Sequence, residues 1–172
     1  MRRSIRAATA GIAAAAALVL SLGLATSASA ATTGPSGPEY FTVSLSLSNP
    51  NGTVNAYGPV AGRDGTLQTP AATAAVFQFR HGNVNVWHSA EPSPTINWRT
   101  CTATVSQYGA WAFTGGTGQY RGARGSGHFL LKEFSVFKVM NGKCQAANPN
   151  AQPVYLQLNV QGFGYASLPR HH

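Results

Sequence analysis

The chain has 172 residues, with 12 Lys and Arg against 4 Asp and Glu, a formal net charge of +8. Three of the positive charges fall in the first six residues; the other nine are scattered, and only Arg121 and Arg124 sit close together. A nucleic-acid binder gathers its basic residues on one stripe, so that class is set aside and a basic surface remains, with at most a weak pull toward anionic cell-wall polymers.

Residues 1–30 read as an export signal. Arg2, Arg3 and Arg6 make a basic start, an Ala- and Leu-rich apolar run follows, and Ala28-Ser29-Ala30 offers a small-x-small cleavage site. The alanine-rich core, the good cleavage site and the lack of a stop-transfer charge argue against a membrane anchor. Arg2-Arg3 lacks the rest of a twin-arginine motif, which favours the general secretory route. The mature protein is expected to be secreted, without membrane attachment once the signal is removed. Residues 31–39 are rich in Pro, Gly and Ser and predict a flexible lead-in. A single domain is expected over 40–168, with a frayed tail at 169–172.

Period-two patterning opens the domain. Phe41, Val43, Leu45 and Leu47 alternate with Thr and Ser, which predicts a half-buried strand. Asn49-Pro50-Asn51-Gly52 reads as a turn, residues 53–61 as a second strand, and Gly62-Arg63-Asp64-Gly65 as another turn. Residues 75–80 and 83–88 flank His81-Gly82 and give the clearest hairpin signal in the chain. Residues 89–96 form a loop. Residues 98–108 predict a strand containing Cys101, with 109–114 continuing or pairing with it. Residues 126–140 predict a long strand whose apolar phase, set by Phe129 and Leu131, switches at Glu133-Phe134 to Phe134 and Val136; that switch predicts a bulge. After a loop over 141–153, Val154, Leu156, Leu158 and Val160 mark the last strand. Helical periodicity is lacking after the signal, and 17 of the 19 glycines lie there (all but Gly11 and Gly23), which suits turns and barrel corners. Seven or eight one-sided strands must bury their apolar faces against a common interior. The expected fold is therefore all-β, an antiparallel closed barrel of about eight strands preceded by a signal peptide. A sandwich of the immunoglobulin type lacks its Cys…Trp…Cys spacing here.

Cys101 and Cys144 are the only cysteines. In an oxidising compartment they predict one disulfide. No C-x-x-C pair or histidine cluster accompanies them, so no metal site is expected, and no cofactor either.

The most distinctive stretch is glycine-rich. It runs from Trp111 through Gly115-Gly116-Thr117-Gly118 and Tyr120 to Ala123-Arg124-Gly125 and Phe129. A dinucleotide-type loop would need glycine at Arg121, and no Gly-Lys-Ser/Thr follows for a phosphate cradle. The segment predicts a tight connection between two strands. It resembles the dirigent and allene-oxide-cyclase-like β-barrel family, whose members carry Gly-Gly-Thr-Gly, an aromatic and Ala-Arg-Gly between two strands. Gly58-Pro59 with Gly62-Arg63, the hairpin bent at Gly82 and the closing strand to Tyr165 extend the likeness over most of residues 40–165. The chain is also similar to actinobacterial secreted proteins with two cysteines in these places. The resemblance implies an eight-stranded barrel with an apolar lumen, often a homotrimer. In plant members the lumen directs a phenoxy-radical coupling or a fatty-acid epoxide cyclisation. That chemistry uses acidic residues in the lumen. The acids here are Glu39, Asp64, Glu91 and Glu133, and none aligns with a family acid.

Two residues are candidates for catalysis. Glu133 shares the phase of Phe129 and Leu131. Pointing inward, it would be a carboxyl with a raised pKa suited to acid chemistry; the expected bulge instead turns it outward, to Lys132 or solvent. His88 shares the phase of Val84 and Val86 and is expected at a barrel mouth. Tyr57, Trp87 and Phe129 are the aromatic candidates for meeting a ligand; Trp87, Trp98 and Trp111 are read either as binding aromatics or, more commonly for such residues, as core or barrel-rim packing. Three functions compete: a barrel that binds a small apolar molecule in its lumen, which leads; a dirigent- or cyclase-like stereo-directing enzyme; and an interaction protein with a packed interior. Lumen volume separates the last from the others.

Overall fold

The computed structural model describes residues 34–148 and 150–170. The expected export signal, residues 31–33 of the lead-in, and His171 and His172 of the tail lie outside the described residues. The strands are β1 (Ser36–Ser46), β2 (Asn49–Tyr57), β3 (Gly62–Ala71), β4 (Ala74–Phe79), β5 (Gly82–His88), β6 (Thr95–Asn97), β7 (Thr102–Gly116), β8 (Arg124–Val136), β9 (Val139–Met140), β10 (Lys143–Cys144) and β11 (Tyr155–Ser167), with one 3-10 turn at Gly118–Tyr120.

Hydrogen bonding follows the order β5-β4-β3-β2-β1-β11-β8-β7, and β5 pairs back onto β7, so the sheet closes on itself. The result is the expected all-β fold, an eight-stranded antiparallel barrel. Closure removes the free strand edges that an open sheet would present to water or to other chains. The cause is one-sided patterning. Phe41 and Val43 on β1, Val54 and Ala56 on β2, and Phe77 and Phe79 on β4 all turn inward and are buried. Short β6 extends the sheet along the start of β7, and β9 and β10 form a separate two-stranded hairpin.

Several sequence expectations are corrected by this architecture. β1 reaches back to Ser36 and pairs with β11 as far as Ser36↔Ser167, so residues 36–39 of the expected lead-in are strand. Glu39 is 2% exposed because it falls in phase with Phe41 and Val43. Asn49–Gly52 is not the turn; the chain reverses at Leu47-Ser48, and Gly52 (φ 63°) sits in a bulge of the β1–β2 ladder. Likewise Gly62–Gly65 lies within β3, where Asp64 (φ 51°) marks a register shift against β2. Positive φ is needed in a bulge as in a turn, so the same residue types serve both. Cys101 (φ 54°) is in a turn, and β7 begins after it and runs unbroken through 109–116.

The expected bulge in β8 is absent. Its ladders to β7 and β11 run in continuous register through Glu133 and Phe134. Phe134 is 41% exposed, on the outer face, whereas Ser135 is buried. Glu133 therefore keeps the inward phase of Phe129 and Leu131.

The two barrel ends differ. At one, the floor, Phe79 and Tyr120 pack together with ring centroids 5.5 Å apart. The Tyr120 hydroxyl donates to the Ala61 carbonyl at 2.7 Å. The glycine-rich segment lies here, laced to the β4–β5 bend: the Thr117 hydroxyl accepts from the Asn83 amide at 3.0 Å, and the Gln119 amide donates to the His81 carbonyl at 3.0 Å. Its role is to close the floor, as a tight connection should. The long connections 89–101 and 137–154 lie at the other end, the mouth. The disulfide Cys101–Cys144 ties them together, with Cα atoms 5.3 Å apart and a sequence separation of 43. A loop of that size contributes about 4 kcal/mol in the chain-entropy view.

Candidate functional site

The interior is filled at the floor and hollow toward the mouth. A cavity of about 240 Å³ opens there. Its aromatic surfaces come from Phe41, Phe77, Trp111 and Phe129. Phe41 meets Trp111 at 5.3 Å and 73° and Phe77 at 5.1 Å and 65°, edge to face, an arrangement favoured by their quadrupoles. Val43, Val86, Leu131, Leu158 and Val160 supply the aliphatic wall. Trp111 is 1% exposed and its indole N–H is satisfied by the His128 carbonyl at 3.0 Å and the Phe163 carbonyl at 3.3 Å. Phe129 can lie across the lumen because Gly109 faces it on β7; a Cβ at 109 would clash with the Phe129 ring.

Polar groups gather at the mouth. Thr69, His88 and Glu91 line the cavity. His88 Nδ1 lies 3.1 Å from the Ser89 carbonyl. A carbonyl can only accept, so that nitrogen carries the proton and Nε2 of the neutral ring is an acceptor. Glu133 is half-buried, paired across the sheet with Val105 and with Leu158 of the wall. Burial, and then the charge of Glu91, push its carboxyl above the ordinary range. Gln107 shares the lumen-facing register of β7. Its Nε2 donates to the Ala90 carbonyl at 2.8 Å, and its buried Oε1 meets no donor.

Of the sequence candidates, the structure brings His88 and Phe129 into the cavity lining and Glu133 onto the same face near its mouth. It does not bring Trp87 or Tyr57 there. Trp87 is 45% exposed on the outer face, because Val84 and Val86 take the inward phase of β5. Tyr57 also faces outward, 6.1 Å from the Tyr40 ring and with the Arg63 guanidinium over it at 5.6 Å. Neither side chain lines the lumen. Sequence reasoning missed Glu91 and Gln107. Glu91 is in a loop, where periodicity says nothing; Gln107 is a polar residue in an inward phase, a signal that was present.

A second buried acid lies at the floor. Glu39 Oε2 accepts from the Val60 amide at 3.0 Å, while Oε1 is buried without a donor. Desolvation raises its pKa to about 7 despite that hydrogen bond. Among the described residues no group of three or more His, Cys, Asp or Glu could hold a metal ion.

No family model matches the chain, no curated protein matches it, and no solved structure matches it.

Proposed function

We propose that this chain is an exported carrier that takes a small apolar molecule into the hollow half of its barrel. The observation that carries this reading is the cavity of about 240 Å³, walled by aromatic and aliphatic side chains and open at one end. An apolar cavity of roughly 150 Å³ already accepts a benzene ring, and small closed barrels hold single ligands in this way. The disulfide supports an oxidising, extracellular workplace. A solid interior is disfavoured by the same cavity.

The test is a titration of the disulfide-intact protein with N-phenyl-1-naphthylamine, a neutral dye that fluoresces in apolar surroundings. Saturable binding of one dye per chain is expected. Val160→Trp, which fills the lumen from a wall position, should abolish it, and Val139→Trp, on an exposed position, should not. Equal binding by both variants would remove the lumen as the site.

A second reading, a stereo-directing enzyme like the dirigent and allene-oxide-cyclase-like proteins, draws on Glu133. An acid with a raised pKa on the lumen face, with His88 lining the same lumen, suits proton transfer. It is tested by generating phenoxy radicals with an external one-electron oxidant and measuring the enantiomeric ratio of the coupled product. A racemic product with and without the protein would count against it.

A further inference from the structure

Of the 4 acidic residues in the chain, two stand at the lumen mouth, although basic residues outnumber acids 12 to 4. Glu91 lines the cavity directly. Glu133 projects from the lumen face of β8, two positions beyond the lining residue Leu131. Lys132, beside it in sequence, belongs to the outer face, and among the described residues no Lys or Arg lines the cavity. Glu133 is half-buried and Glu91 is exposed at the rim, and the negative charge of Glu91 bears on the Glu133 carboxyl.

An independent observation points the same way. Gln107 Oε1 is a buried acceptor without a donor, and its own amide nitrogen is held by Ala90, the residue next to Glu91. In the neutral ring His88 offers Nε2 as another acceptor, because its Nδ1 is committed to Ser89. The mouth is therefore rich in acceptors, and only Thr69 offers a side-chain hydroxyl among the lining residues. The acceptors that face the cavity itself, His88 Nε2 and the Glu91 carboxylate, are the ones a donor-bearing guest can reach.

We propose that the ligand is a cationic amphiphile, an apolar body that fills the lumen and a protonated amine that sits at the mouth between Glu91 and Glu133. This rests on the carrier reading above and adds the chemical class of the guest. A primary ammonium carries three donors and one positive charge. Charge-assisted hydrogen bonds to carboxylates are the strong kind, and partial desolvation strengthens them further. A fatty acid of the same length would meet repulsion from both acids, so the site discriminates by head group as well as by shape.

The experiment compares octylamine, octan-1-ol and octanoate on the disulfide-intact protein at neutral pH by isothermal titration calorimetry. Octylamine should bind at least about tenfold more tightly than either of the others, the size of one charge-assisted hydrogen bond. The gap should narrow as salt is added. In Glu91→Gln/Glu133→Gln, which keeps the shape of both side chains, octylamine and octan-1-ol should bind alike. Circular dichroism of that variant checks that the barrel is intact. If octan-1-ol or octanoate matches octylamine in the native protein, or the amine preference survives in the variant, the head-group inference falls while the lumen reading stands. If none of the three binds, the carrier reading itself falls.

Discussion

Glu39 and Val60, from β1 and the β2–β3 connection, are joined by a hydrogen bond in which the Val60 amide donates to Oε2 at 3.0 Å. It ties the first strand to the loop that covers the floor and holds a carboxyl where water does not reach.

Stability should consequently depend on pH through Glu39. Its folded pKa is about 7 against 4.5 for the free side chain, so the folded state binds the proton more tightly. For a raised pKa the stabilisation is complete below the unfolded value and is lost as pH climbs through the folded one. Between about pH 4.5 and 7 the loss should approach roughly 3 kcal/mol. Thermal melts of the native protein over that range should fall with rising pH, and Glu39→Gln should flatten most of the slope. An unchanged slope in the variant would assign the effect elsewhere.

Gly58 stands against the same carboxyl. Its φ is +133°, and a Cβ there would meet the Pro38 carbonyl and come within 2.7 Å of Glu39 Oε2. Gly58→Ala should cost about 1–3 kcal/mol from backbone strain alone, and more from the clash. Gly37→Ala, where a Cβ meets nothing within 4 Å, is the matched control and should stay near the native denaturation midpoint in urea.

Reducing Cys101–Cys144 should lower stability by about 2–5 kcal/mol, read as a shift in the denaturation midpoint with and without a thiol reductant. Because the bridge ties both mouth connections, ligand affinity should drop in the reduced protein even under conditions where the circular-dichroism spectrum is unchanged. Retained affinity would mean that those connections hold their places without it.

Intrinsic fluorescence offers a direct readout of the lumen. Trp111 is 1% exposed and lines the cavity, while Trp87 and Trp98 are 45% and 59% exposed. Ligand addition should alter only the blue-shifted emission of Trp111. Trp87→Phe/Trp98→Phe should keep the full ligand response, and Trp111→Phe should lose it.

Much of this fold was legible because closure of a barrel demands the same device in every strand. Phe41 with Val43, Phe77 with Phe79, and Val84 with Val86 announce their inward faces by period alone. β3 was not legible: Thr66–Ala71 carries little beyond Leu67 to bury, includes Pro70 and is largely exposed. The phase of β8 misled for a physical reason. Leu130 and Phe134 are large and apolar yet 44% and 41% exposed, so both faces of that strand look like core and alternation loses its meaning. That misreading hid Glu133 from the lumen. Glu39 was hidden differently, since Gly37-Pro38 reads as linker although the residue continues the parity of Phe41. Nothing in local pattern could bring Glu91, Gln107 and Glu133 to one mouth, because that proximity is made by the ladder registers and by the loop after β5.

The residues that fix the architecture and those proposed to choose a guest occupy opposite ends of the cylinder. Gly58, Tyr120 and the Gly-Gly-Thr-Gly run seal the base, while His88, Glu91, Gln107 and Glu133 crown the opening. Randomising the crown alone should therefore yield a library of intact barrels with altered ligand choice, since the contacts that seal the base are left untouched.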